Sequence, residues 1–246
     1  NSSTSSSSAN TESDLAYVQN KGTLVVGITE FEPMDYQNTD GEWIGFDADL
    51  AKEFAESLGV TVEFQLIDWD NKVMELDGKT IDVVWNGMTL TEDVLAAMEC
   101  SQPYLINQQV VVVPADVAED YQTEESLADL NFAVEIGSAG CEVAQANGYS
   151  YTEVADQATA LLEVASGTAD AAIIDSLMAG AMIGEGTSYA DMTSTVALTS
   201  EEYGVGFRKG SDLAATLNEF LSGKYADGSI QTLAETYGVQ DALVQE

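Results

Sequence analysis

The 246-residue chain has no histidine, two cysteines, three prolines and only seven lysines and arginines together. Each shortage excludes something. Without histidine, Ser-His-Asp and Cys-His catalysis and every histidine metal site drop out. Cys100 and Cys141 are far apart and show no Cys-x-x-Cys spacing, which removes a zinc or dithiol motif. Both are expected to be small buried or half-buried thiols, and a disulfide needs a fold that brings them together. Against the seven cations stand 43 acids, a formal net charge of −36. Such a surface repels phosphate backbones and anionic headgroups, so nucleic acid is not expected as a partner. With so many acids some pair always looks catalytic, and spacing alone cannot argue for carboxylate chemistry. No apolar run approaches the roughly 18 residues of a membrane span.

What is present fits an α/β protein: 45% apolar residues and 20 glycines, in a chain long enough for one large domain or two small ones. Residues 1 to 14, NSSTSSSSANTESD, form a serine-rich tether without apolar periodicity, followed by a short helix near Leu15–Gln19. The tether is read as what remains when a secretory signal is removed. A lipid-modified residue upstream of it is expected to anchor the protein outside the cytoplasm.

The chain is organised around DVVWNGMTLT, Asp82 to Thr91. Val83 to Trp85 read as a buried strand, Asn86 and Gly87 are expected to leave it, and Thr91 is placed to cap a helix from Glu92. Alternation turns Trp85 into the core, opposite Asn86. In open α/β sheets ligands sit at such strand ends, because backbone N–H groups and hydroxyls converge there. Strands are expected at Thr23–Ile28, Val60–Ile67, Val110–Val113, Phe132–Glu135, Ala171–Ile174 and Tyr203–Phe207, and a small hairpin around Asp40-Gly41. Asp47 is expected to cap the helix that follows, and Asp68 the next. A weak repeat links the halves: Gly78, Asp82 and Asn86 in the first echo Gly167, Asp170 and Asp175 in the second.

GFDADL (Gly45 to Leu50), GMTLT (Gly87 to Thr91), SQPY (Ser101 to Tyr104), Ser166-Gly167 with Asp170-Ala171-Ala172, and Asp227-Gly228 together resemble the polar-amino-acid-binding proteins of ABC importers. The similarity runs from about Gly22 to Val239. It implies a type II clamshell with two hinge strands. Residues 1–20 would be tether and helix, 21–108 plus 203–246 the first lobe, and 109–202 the second. It implies ligand capture without covalent chemistry, cofactor or metal, by a monomer that presents its ligand to a membrane permease. By the same resemblance Asn86, Gly87 and Thr89 meet the ligand backbone, Asp175 accepts from its ammonium, and the helix start at Ser138-Ala139 offers N–H groups. Phe31 and Trp69 would sandwich the side chain, and Glu30 would touch its far end.

One departure stands out. Members of the family commonly carry an arginine five residues after the position of Thr89, where it grips a carboxylate; here that residue is Val94. The lone arginine, Arg208, follows the last strand and is expected to play a surface role. Lys72 is the nearest candidate to take a carboxylate. The expected ligand is a small amino compound, an amino acid ahead of a carboxylate-free amine. Two other functions fit the same fold: the ectodomain of a ligand sensor, which a membrane helix would normally follow, and a dehydratase, which needs a carboxylate or thiol as its acid–base group.

Overall fold

The computed structural model describes residues 12–245, so most of the serine-rich tether lies outside the described residues. Among them, thirteen strands and nine α-helices build two sheets and a small hairpin. The strands are β1 (Thr23–Ile28), β2 (Tyr36–Gln37), β3 (Trp43–Ile44), β4 (Thr61–Leu66), β5 (Val83–Thr89), β6 (Glu99–Cys100), β7 (Leu105–Asn107), β8 (Gln109–Pro114), β9 (Asn131–Glu135), β10 (Ser150–Val154), β11 (Ala171–Asp175), β12 (Met192–Ala197) and β13 (Glu201–Phe207). The helices are α1 (Asp14–Lys21), α2 (Phe46–Ser57), α3 (Lys72–Asp77), α4 (Glu92–Ala97), α5 (Ala139–Ala146), α6 (Gln157–Ser166), α7 (Ser176–Met182), α8 (Leu213–Ala226) and α9 (Ser229–Thr236).

The first sheet runs β4-β1-β5-β13-β6, with β7 also on β13; the second runs β10-β9-β11-β8-β12; β2 and β3 form the hairpin. In each sheet three parallel strands meet an antiparallel one, β13 beside β5 and β8 beside β11. The chain passes between the sheets twice, at Gln108 and between Ala197 and Glu201. The two passages are tied together: the Gln109 N–H donates to Thr199 Oγ1 at 2.9 Å and the Leu198 N–H to the Gln109 carbonyl at 2.8 Å. This is the two-lobed type II architecture.

The sequence repeat has a physical basis. Asp82 and Asp170 stand just before β5 and β11, and each carboxylate accepts a backbone N–H of the neighbouring parallel strand, Val25 and Asn131, at 2.9 Å. The same device sets the same register twice: Val26 lies opposite Val83, and Phe132 opposite Ala171.

Four local expectations need correction. Asn86 and Gly87 do not leave the strand; β5 continues to Thr89 because β13 pairs along it, Tyr203 opposite Thr89 and Gly204 opposite Met88, with an irregularity before Gly206. Asp47 does not cap α2, whose N-cap is Gly45; it sits in the first turn with its carboxylate buried. Asp68 precedes the 3-10 turn Trp69–Asn71 without a side-chain cap bond. Arg208 is no surface residue. It donates to Asp14 Oδ1 through Nε (3.0 Å) and Nη2 (2.7 Å), to Asp82 Oδ1 (3.0 Å) and to the Ile81 carbonyl (2.8 Å), which locks α1 onto the sheet. Lys21 adds an ion pair to Asp82, and Tyr17 offers its ring to Lys21, Lys79 and Arg208. Cys100 and Cys141 are free thiols, one in each sheet region, and Trp85 is fully buried against Phe54.

Removing the guanidinium would leave Asp14 without its ion-pair partner and Asp82, whose side chain is 0% exposed, with Lys21 alone. Arg208→Ala is therefore expected to cost about 3 kcal/mol, as breaking a buried ion pair does. A urea titration of both proteins measures it.

Candidate functional site

Every parallel strand ends on the same crevice. Phe31 follows β1, Trp69 follows β4, and β5 delivers Asn86 to Thr89; from the facing sheet, β9 ends at Glu135, β10 leads to Gln157, and β11 ends at Asp175. These residues line one cavity of about 270 Å³ between the sheets, just below the roughly 300 Å³ at which drug-sized pockets begin. It suits a molecule the size of an amino acid. Lys72, Ser138 and Ala139 also face it. Of the binding residues expected from the sequence, only Glu30 stays outside: it is exposed on the loop after β1, where partial burial and the nearby Asp156 push its carboxyl up.

The lobes touch in this structure. Lys72 Nζ, on α3, donates to the Trp69 carbonyl at 3.2 Å and across the cleft to the Gly137 carbonyl at 3.3 Å. Its ammonium also lies 4.7 Å from the centre of the Trp69 ring, a cation–π distance. Gly137, at φ 68°, packs against Asp70 so closely that a Cβ would sit 2.7 Å from Asp70 Oδ1. Only glycine permits this approach of loop to loop.

The first-lobe turn offers less to a ligand than its composition promises. Asn86 spends both ends of its amide on Thr29, accepting from the Thr29 N–H at 2.9 Å and donating to its hydroxyl at 2.7 Å. The Gly87 N–H donates to Asp47 Oδ2 at 2.6 Å, and Tyr104 donates to Asp47 Oδ1 at 2.7 Å. Gly87 holds φ 54°, and a side chain there would strike Phe31, whose Cε1 lies 2.3 Å from where a Cβ would be. The Thr89 hydroxyl donates to Glu201 at 2.8 Å. These residues shape the wall and fix Phe31 in place.

The second lobe supplies the charge. Asp175 Oδ1 accepts from Gln109 Nε2 at 2.7 Å and Gln157 Nε2 at 3.1 Å, and Tyr203 donates its hydroxyl to Oδ2. All three donors are neutral. Burial, with Glu201 nearby, pushes the Asp175 carboxyl up to about 7. Glu135, equally buried, is pushed up by burial and by Asp175, while a hydrogen bond from Gln157 and the charge of Lys72 act the other way. Sequence reading missed Glu135 and Gln157. Glu135 looks like the polar end of an apolar strand, and its one available signal was its place just before the Gly137 turn. Ser138 caps α5 by accepting the Cys141 N–H at 3.1 Å and donates its own N–H to the Glu135 carbonyl at 3.3 Å, and Ala139, the first residue of α5, lies at the cavity edge.

Comparison with known proteins decides the family. Residues 24–240 match the model of the bacterial extracellular solute-binding proteins, family 3. The chain belongs to that family. It is 29% identical over 227 residues to the L-cystine-binding protein TcyJ of Escherichia coli K12, covering 91% of this chain and 85% of TcyJ. A variant of ArgBP from T. maritima superposes with a TM-score of 0.84 at 32% identity, covering 91% of this chain and 98% of that one. A substrate-binding protein of an ABC uptake transporter from Streptococcus pneumoniae, solved with bound histidine, superposes at 0.85 with 27% identity, covering 94% and 98%. These relatives bind solutes, and this family member is a solute-binding protein of that kind.

Asp175 and Asp47 are both raised to about 7 by burial, from an ordinary value near 3.8. Between about pH 4 and pH 7 the folded chain therefore holds protons that the unfolded chain has released, and its stability falls as pH rises through that window. The ligand-free protein is expected to show a higher urea midpoint at pH 5 than at pH 8. Asp175→Asn should flatten that dependence, which paired titrations at the two pH values would measure.

Proposed function

We propose that the cleft captures a small amino compound, an α-amino acid foremost, and hands it to an ABC permease. The observation that carries this reading is Asp175: a carboxylate buried at the end of β11, facing the cavity, with neutral donors and, among the described residues, no cation on it. A ligand ammonium supplies the missing charge through a charge-assisted bond. The ligand side chain lies along the aromatic faces of Phe31 and Trp69, and Asn86, Gly87 and Thr89 form the wall beneath its backbone. A ligand carboxylate faces the Lys72 ammonium, two of whose N–H groups are already on carbonyls, and the Ala139 N–H at the start of α5, the Ser138 N–H being spent on the Glu135 carbonyl at 3.3 Å.

In this reading residues 21–108 with 203–246 move as one lobe and 109–202 as the other, about the passages at Gln108 and 198–200. The protein works as a monomer outside the cytoplasm, held to the membrane by a lipid upstream of the serine-rich tether. The relatives' roles in cystine binding and ABC uptake support the transport assignment. The same reading treats the cleft as a binding site with no turnover.

A thermal-shift screen of amino acids, amines and short peptides tests it. A true ligand at 100 times its dissociation constant adds about 2.7 kcal/mol. Asp175→Asn is expected to lower affinity for that ligand by at least roughly a hundredfold, the scale of losing a charged hydrogen-bond partner in a buried site, while the variant stays folded. Calorimetry on both proteins measures the change; an unaltered affinity overturns the reading.

A further inference from the structure

The cavity carries more negative charge than one ammonium can use. Among the described residues five carboxylates line it, Asp70, Asp93, Glu135, Glu142 and Asp175, against a single cation, Lys72. The ion pairs of the described residues join Lys21 to Asp82, Lys52 to Asp49, Arg208 to Asp14 and Asp82, and Lys224 to Glu53, and all lie outside the cleft. Two of the five acids are 96% buried: Glu135 and Asp175 each keep only 4% of their surface exposed. They end adjacent parallel strands, and Gln157 reaches both with its one side-chain amide. That amide also accepts the Asp175 N–H at 2.9 Å through its oxygen, so its position is fixed.

Lys72 is poorly placed to serve a ligand carboxylate. Two of its three N–H groups are spent on the Trp69 and Gly137 carbonyls, and its charge is already engaged by the Trp69 ring. From α4, Asp93, Val94 and Ala97 line the cavity, and none of them is basic. A ligand carboxylate entering this cleft meets carboxylates on most sides and half-committed donors on the rest, a net cost in a site of low dielectric.

We propose that the physiological ligand is a dication that needs no carboxylate, a short aliphatic diamine or a guanidino-amine, with one basic group on Asp175 and the second on Glu135. This deepens the function proposed above and rests on it. Glu135 becomes the residue that sets specificity, because burial and the neighbouring Asp175 disfavour its ionised form and a second cation on the ligand favours it. The aromatic faces of Phe31 and Trp69 cover the chain between the two basic groups.

Calorimetry on the intact protein with matched ligands tests this. Arginine against citrulline removes the second cation at constant shape, and arginine against agmatine, or ornithine against 1,4-diaminobutane, removes the carboxylate alone. Losing the cation is expected to cost at least about tenfold in affinity, and losing the carboxylate less than that, since only the first removes the charge that Glu135 is placed to meet. Glu135→Gln should shrink the arginine-over-citrulline preference to below about threefold. Circular dichroism checks that the variant folds; if it does not, the wild-type comparison decides alone. Citrulline binding within tenfold of arginine, or a tenfold loss with agmatine and diaminobutane, overturns the inference. If neutral amino acids bind best, the transport reading stands and the dication falls. If no amino compound binds, both fall.

Discussion

Carboxylates held in the interior without cations are the constraint around which this molecule is arranged. Moving an ionised acid out of water is expensive unless hydrogen bonds or an opposite charge replace the solvent. Asp175 has the hydrogen bonds, from Gln109, Gln157 and Tyr203, and lacks the charge. On the reading proposed above, a positively charged visitor supplies that charge from within the cleft the two lobes share. A binding protein needs this asymmetry: the ligand must favour one arrangement of the lobes over the other by its own differential contacts.

The same donors join the cleft to the interlobe passages. The Gln109 amide donates at 2.7 Å to Asp175 and also at 2.7 Å to Glu201 Oε1, which takes further bonds at 2.8 Å from Asn107 and Thr89. Gln109 begins β8 directly after one passage and Glu201 begins β13 directly after the other. Thr89, which lines the cavity, therefore also bonds the crossing strands through its hydroxyl. Asp175 is thus one amide away from the strands that cross between the lobes, through a physical chain of hydrogen bonds.

How much of this was legible in the residues depended on whether a signal was local. Thr91 caps α4 as its spacing predicts, accepting the Val94 N–H at 3.2 Å, and the aspartates before β5 and β11 do the same job in both halves. Phe31, Trp69 and Asp175 reach the cavity because strand ends, once the topology is known, converge on it. Partnerships between distant segments were not legible. Nothing near Asn86 shows that Thr29 takes both ends of its amide, and nothing near Asp47 shows that Gly87 and Tyr104 claim its oxygens. Asp35 is the extreme case: it is fully buried with neither oxygen partnered among the described residues, and burial followed by the charge of Asp47 pushes its carboxyl well up. In the sequence it reads as an ordinary loop acid. Its surroundings favour the protonated form, because two buried carboxylates near one another cannot both ionise cheaply.

The allocation of the few cations completes the argument. Arg208, Lys21 and Lys79 gather at Tyr17 to hold α1; Lys224 pairs with Glu53; Lys52 bonds Asp49 and the Trp43 carbonyl; Lys209 bonds the carbonyls of Leu95 and Met98. Among the described residues that leaves Lys72 as the one basic side chain lining the cleft of a molecule with net charge −36. Field lines from an acidic surface concentrate in a cleft with low-dielectric walls, which raises the local concentration of cations and speeds their arrival. Lys72, over the Trp69 ring and bonded to Gly137 across the gap, is the cation set among the carboxylates of the cleft. On the reading proposed above, a cationic ligand joins it there, so the charge that draws the ligand in and the charge that closes over it are the same.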